Sequence, residues 1–227
     1  VAGRHDDDHG GALIMKRPVI FWDVDTQHDF MDHDGKLYVP DAELIKPNLK
    51  RLTDYAHDRN IHIVASSDDH TAGDRELSST PDFEATFPEH CMRGTPGAEK
   101  IPETALFAAK IIEPDSVPHD VLARSLWSHG GDVLIRKHWF DVFTNPNTIT
   151  LLEAWDPTEI VVYGVALDVC DKYAIDGFIE HGVPVIHLVL DATKAIHPER
   201  TQALVDGWTK QEVRVVTTED VVAGRVV

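Results

Sequence analysis

Short apolar runs rich in β-branched residues alternate with helical patterns along almost the whole chain, and this alternation restricts the fold more than any other feature. Strand patterns fall at 18–25, 61–67, 109–112, 133–137, 159–164, 184–190 and 213–217, each short and bounded by turn-forming residues. Between them, Leu44, Ile45, Leu49, Leu52 and Tyr55 recur at helical spacing within 42–59. Further helical patterns cover 118–128, 148–155, 168–181 and 198–209, the last opening with Pro198 at a first-turn position. Strands that alternate with helices predict an α/β fold, a mostly parallel sheet covered on both faces. In such folds functional groups gather just beyond the carboxyl ends of the strands.

The 227 residues, 42% of them apolar, suffice for one full core and suggest a single domain over 18–227. Residues 1–17 are charged, glycine-bearing and aperiodic, and read as a mobile leader or an expression remnant whose His and Asp residues are solvated. Residues 68–102 have little period but many Asp, His, Glu, Gly and Pro; a loop that long inside a compact domain is usually functional. The excess of 39 acidic over 21 basic side chains, net −18, repels phosphate backbones and anionic lipid, so neither nucleic acid nor membrane is expected as a partner. The described apolar runs are too short to span a bilayer and the N-terminus shows no signal core, which makes a cytoplasmic protein the expectation. Two cysteines, 91 and 170, give no disulfide framework and suit a reducing compartment, where a thiol is free for chemistry.

Three residues stand where chemistry is expected. Cys170 lies in the first turn of the helix that follows the strand pattern at 159–164. Unpaired amides and the helix dipole there favour a thiolate and can receive an oxyanion, although a buried cysteine serves equally well as a small packing residue. Asp25 ends the first strand, PVIFWDVD, where a partly desolvated carboxylate can accept a proton; an ordinary turn aspartate is the alternative. Asp23 shares its strand face and has no evident role. Lys137 ends the strand at 133–137 and can hold a carboxylate and a thiolate by charge, or snorkel to the surface. In the long loop Asp68, His70, Glu76 and His90 offer two carboxylates and two imidazoles to a divalent ion. Cys91 reads as packing.

The blocks DTQHDF, DDHTAGDRE, STPDFEATFPEHCMRGTPGAE, RKHWFDVF and GVALDVC, in this order from Pro18 to Thr217, resemble those of isochorismatase-like hydrolases, nicotinamidases in particular. The resemblance implies a single-domain, three-layer Rossmann-like α/β fold with a six-stranded sheet. It implies a triad in which Asp25 takes the thiol proton, Cys170 attacks a carbonyl and Lys137 supports the charged pair. It implies a cis peptide between Val165 and Ala166 that aims the amides of Ala166 and Cys170 at an oxyanion. It also implies a divalent metal on Asp68, His70, Glu76 and His90, zinc first. Glu76 stands where the family's second histidine is expected, and its added charge makes iron or manganese competitors. Phe30, Phe87, Trp139 and Phe140 are the expected pocket walls, and Val169 departs from the polar or aromatic residue usual before the nucleophile. A small-molecule amide is the implied substrate and a homo-oligomer the implied assembly. Vinyl-ether hydrolysis of the isochorismatase kind and non-catalytic metal or ligand binding are the alternatives.

Overall fold

The computed structural model describes residues 16–226, so most of the leader reading over 1–17 lies outside the described residues. Seven strands are present: β1 (Val19–Val24), β2 (His62–Asp68), β3 (Lys110–Ile112), β4 (Val133–Lys137), β5 (Glu159–Val165), β6 (Val185–Lys194) and β7 (Arg214–Val216). They form one sheet in the order β3-β4-β2-β1-β5-β6-β7, with every pairing parallel. The expectation of six strands is corrected to seven, because the three residues of β7 pair with His187–Val189 of β6 at one edge. Central strands are buried on both faces, as a parallel sheet requires, and therefore read as continuous apolar runs rather than alternating ones.

Among the described residues seven α-helices accompany the strands: α1 (His28–Met31), α2 (Lys46–Asp58), α3 (His119–Trp127), α4 (Asn147–Trp155), α5 (Cys170–Glu180), α6 (Thr201–Thr209) and α7 (Thr218–Val222). The helix expected over 42–59 begins later, since Pro47 in its first turn has no N–H to continue a helix backwards and Ala42–Ile45 closes as a 3-10 turn instead. Residues from α3, α4, α5 and α6 share one apolar layer with Ile20, Trp22 and Val24 of β1. Residues from α1, α2 and α7 share the opposite layer with Phe21. The Trp22 and Phe178 rings meet edge to face at 4.7 Å, a contact of about 1 kcal/mol beyond its buried area. Gly164 has φ +130° at the end of β5, and a Cβ there would come within 2.1 Å of the Val24 carbonyl oxygen, so β1 and β5 can close up where the site forms only without a side chain. Among the described residues no helix is long and apolar enough to cross a membrane.

The chain runs from β1 to β2 on one side and later returns to β5 on the other. Connections therefore diverge on either side of β1, and a crevice opens at the carboxyl ends of β1, β2, β4 and β5.

Candidate active site

Each strand that borders the crevice contributes one polar group. Asp25 follows β1 directly, its left-handed φ of 48° turning the chain off the sheet, a conformation that aspartate tolerates better than most residues. Lys137 ends β4 in register with Asp68, which ends β2. Cys170 is the first residue of α5. Lys137 Nζ lies 2.8 Å from Asp25 Oδ2 and 3.7 Å from Cys170 Sγ, and also donates to Asp68 Oδ1. Asp25 and Lys137 are fully enclosed and Cys170 is 7% exposed. Ser66 donates to Asp25 Oδ1 at 2.6 Å. The Gln27 side chain accepts from the Asp68 amide at 2.7 Å and donates to the Asp68 and Ala98 carbonyls at 2.8 and 2.7 Å, tying the first crossover to β2 and the loop.

Burial sets the protonation of this group. It pushes the Asp25 carboxyl above its usual range, with the Asp68 charge adding to the push and Lys137 opposing it. For Lys137, burial favours the neutral amine, but Asp25 and Asp68 outweigh it and hold the ammonium well above its ordinary pKa. Burial also works against the Asp68 anion, yet Lys137 and the two loop imidazoles bring it well below the usual carboxylate range. The Cys170 thiol is pushed well up by burial and by the Asp25 and Asp68 charges, with Lys137 the opposing influence. Burial thus works against the thiolate that the helix amides favour, and the sulfur lies beside a carboxylate acceptor.

The peptide between Val165 and Ala166 is cis. Leu167, Val169 and Asp171 donate to backbone carbonyls, whereas the amides of Ala166 and Cys170 make no backbone hydrogen bond among the described residues. Asp168 anchors this elbow, accepting from the Ile196 and His197 amides at 2.8 and 2.9 Å.

Asp68, His70, Glu76 and His90 form a second, contiguous cluster whose donor atoms all lie within 4.8 Å of one another. His90 Nε2 approaches Glu76 Oε1 at 3.3 Å and Asp68 Oδ2 at 3.7 Å, and His70 Nε2 lies 3.7 Å from both Asp68 Oδ2 and Glu76 Oε2. His70 Nε2, His90 Nε2 and Glu76 Oε2 are buried without a hydrogen-bond partner, an arrangement that calls for a further group between them. Burial alone would neutralise His90, but Asp68 and Glu76 raise its pKa to about 10. The pocket thus demands positive charge, and its two carboxylates and two imidazoles fit a divalent cation. Asp68 serves both clusters, one oxygen toward Lys137 and the other toward the imidazoles.

Phe30, Phe87, Phe140 and Val169 line the cavity over Cys170, together with Leu37, Val39 and Ile196. Trp139 does not: it lies outside the lining with the Arg75 guanidinium 3.8 Å from its ring centre, because Phe140 takes the inward position in the turn after β4. The cavity measures about 20 Å³, room for one water. It adjoins an outer cleft of about 190 Å³ that shares Phe87, Phe140, Val169 and Ile196 as walls. A cleft of about 300 Å³ at His57, His62 and Phe107 lies away from this chemistry.

Asp23, which had no account from sequence, is paired with Lys100 at 2.8 Å and accepts from Thr26 at 2.8 Å, pinning the loop beneath β1. Cys91 is fully buried in the apolar layer beside α2. Ser66 was missed, although it shares a strand face with Asp68. Asp171 was also missed: it is fully buried with neither carboxyl oxygen partnered, and burial, reinforced by Asp25 and Asp23, pushes its pKa well up.

The isochorismatase domain profile matches residues 108–220. The nicotinamidase/pyrazinamidase of Mycobacterium tuberculosis is 25% identical over 199 residues, 85% of this chain and 95% of that one. The chain belongs to the isochorismatase-like family, close to the nicotinamidases. A probable inactive nicotinamidase of Arabidopsis thaliana is likewise 25% identical, over 78% of this isochorismatase-like chain and 80% of its own. The fold is shared with the pyrazinamidase of Pyrococcus horikoshii solved in complex with zinc, at a TM-score of 0.68 and 23% identity, over 88% of this chain and 99% of the other.

Proposed function

We propose that this isochorismatase-like protein is a cysteine-dependent amidohydrolase that converts a small carboxamide to its acid and ammonia. The observation that carries this reading is the enclosed contact of Asp25, Lys137 and Cys170 beside two unengaged amides. Asp25 takes the proton of the Cys170 thiol as sulfur attacks the carboxamide carbon, and Lys137 offsets the negative charge gathered among the three. The Ala166 and Cys170 amides receive the tetrahedral oxyanion. Asp25 then gives its proton to the departing ammonia, leaving a thioester. A water that loses its proton to Asp25 attacks the thioester carbon; the acid leaves and that proton returns to sulfur.

Asp68, His70, Glu76 and His90 would hold a divalent ion, zinc by analogy with the Pyrococcus horikoshii enzyme, with iron and manganese competing because Glu76 adds charge. Such an ion supplies a Lewis acid that grips a donor atom of the substrate. Phe30, Phe87 and Phe140 then sandwich a small flat molecule, and the domain over 18–227 acts as one unit. The test is ammonia release from nicotinamide, pyrazinamide, maleamate and carbamoyl compounds, with and without chelator. Cys170→Ala is expected to keep its fold and metal and to lose turnover by about 10⁴-fold or more. Undiminished ammonia release by that variant refutes the reading. The probable inactive nicotinamidase among the relatives favours a second reading, metal or ligand binding without catalysis, which predicts metal uptake with no turnover on the whole amide panel.

A further inference from the structure

The two imidazoles of the metal cluster are held in the same way at their outer edges but by different acceptors. His90 Nδ1 meets the neutral Pro88 carbonyl at 2.8 Å. His70 Nδ1 instead meets the Asp74 carboxylate, with Oδ2 at 3.3 Å. The same oxygen accepts from the Thr71 amide at 2.8 Å, and Asp74 Oδ1 accepts from Thr71 Oγ1 at 3.2 Å. His138 Nδ1, one residue beyond Lys137, approaches Asp74 Oδ2 at 3.4 Å. Asp74 thus stands between the loop and the end of β4, while the inner nitrogen of His70 is buried and unpartnered.

We infer that Asp74 is a positioning residue for the metal site: it takes the Nδ1–H of His70 and so fixes the tautomer and ring direction that leave Nε2 free for a divalent cation. An anionic acceptor behind a ligating imidazole restrains the ring and makes the facing nitrogen more basic. His70 is then the stronger imidazole donor of the pair, and its orientation depends on a residue that makes no contact with the ion. The inference rests on the metal-site reading of Asp68, His70, Glu76 and His90.

Cobalt(II) is the probe, titrated into the metal-stripped full chain, with affinity read by competition against a chromophoric chelator and geometry read from the ligand-field absorption. Asp74→Ala is expected to weaken cobalt binding about 10- to 100-fold and to alter the spectrum. Asp74→Ser can still cap the Thr71 amide but is too short to reach His70, and should behave like the alanine variant. Asp74→Asn retains an oxygen that accepts Nδ1–H and should recover most of the loss. Thr71→Val removes a hydrogen bond to the same carboxylate without touching His70, and should match wild type. Cobalt affinity within about threefold of wild type and an unchanged spectrum in the serine variant overturn the role of Asp74 while leaving the metal site standing. Equal weakening by Thr71→Val overturns it too, because the turn alone would then be responsible. A wild-type chain that takes up no cobalt overturns the metal-site reading and this inference with it.

Discussion

Replacing Lys137 with Met tests the electrostatic core of the site directly. Its ammonium is enclosed with two carboxylates, Asp25 at 2.8 Å and Asp68 in hydrogen-bond contact. At an effective dielectric of about 20, one pair at that distance attracts by about 6 kcal/mol before desolvation is subtracted. Met has similar volume and leaves the packing nearly intact, so the change isolates the lost charge. Breaking a buried pair by removing one partner costs about 3–5 kcal/mol, because the surviving charge stays buried; here Asp25 is orphaned, while Asp68 keeps the loop imidazoles as partners. Urea unfolding at neutral pH with chelator present, so that no metal compensates Asp68, should show a loss of that size at unchanged m-value. Without Lys137 the folded-state pKa values of Asp25 and Asp68 both rise. A carboxylate whose folded pKa exceeds its unfolded value of about 3.9 destabilises above the folded pKa and is harmless below the unfolded one. The gap between variant and wild type should therefore narrow as pH falls from about 7.5 toward about 4.5. Adding Asp25→Asn to Lys137→Met removes the orphaned charge and should restore part of the stability. A loss under about 1 kcal/mol, or a gap that does not narrow on acidification, would show that the lysine is not the counter-charge of the site.

Ser66→Ala removes the 2.6 Å donor to Asp25 Oδ1. Since that bond favours the anion, the Asp25 pKa rises further, and the acid limb of the kcat/KM profile should move up by about one pH unit; an unmoved limb separates Ser66 from catalysis. Metal uptake should release a proton at pH 7, because His90, raised to about 10 by Asp68 and Glu76 against the effect of burial, must lose its proton to become a ligand. Calorimetry in buffers of different ionisation enthalpy reads this release, and heats independent of buffer would exclude it. Affinity for the metal should accordingly rise with pH through the neutral range.

How much was legible in the sequence follows from where each property resides. The strands were visible because the central ones, buried on both faces, are local apolar runs, and Asp25, Lys137 and Cys170 stood out as polar residues at or just beyond the ends of strand patterns. In a crossover sheet those ends necessarily share one edge. The candidate metal-binding residues of the loop were visible as types and spacing, and the structure brings all four together. The strand count was legible only by pattern, since seven runs were present while the resemblance implied six. Trp139 and Phe140 could not be told apart, because adjacent turn residues exchange inward and outward places with small changes in backbone angle.

By itself the chain therefore determined the element order, the α/β class and the chemical inventory of the crevice, all of which depend on neighbours within a turn or a strand. Tertiary structure alone decided that Asp25 and Asp68 hold the Lys137 ammonium well above its ordinary pKa, that burial pushes the Cys170 thiol up against the influence of its helix, and that Asp23 finds Lys100. It alone set Ser66 behind Asp25 and narrowed the cavity to the size of one water. The physical reason is common to all of these. Protonation and pocket shape depend on desolvation and on charges from segments far apart in sequence, and such quantities do not exist until the strands are laid side by side.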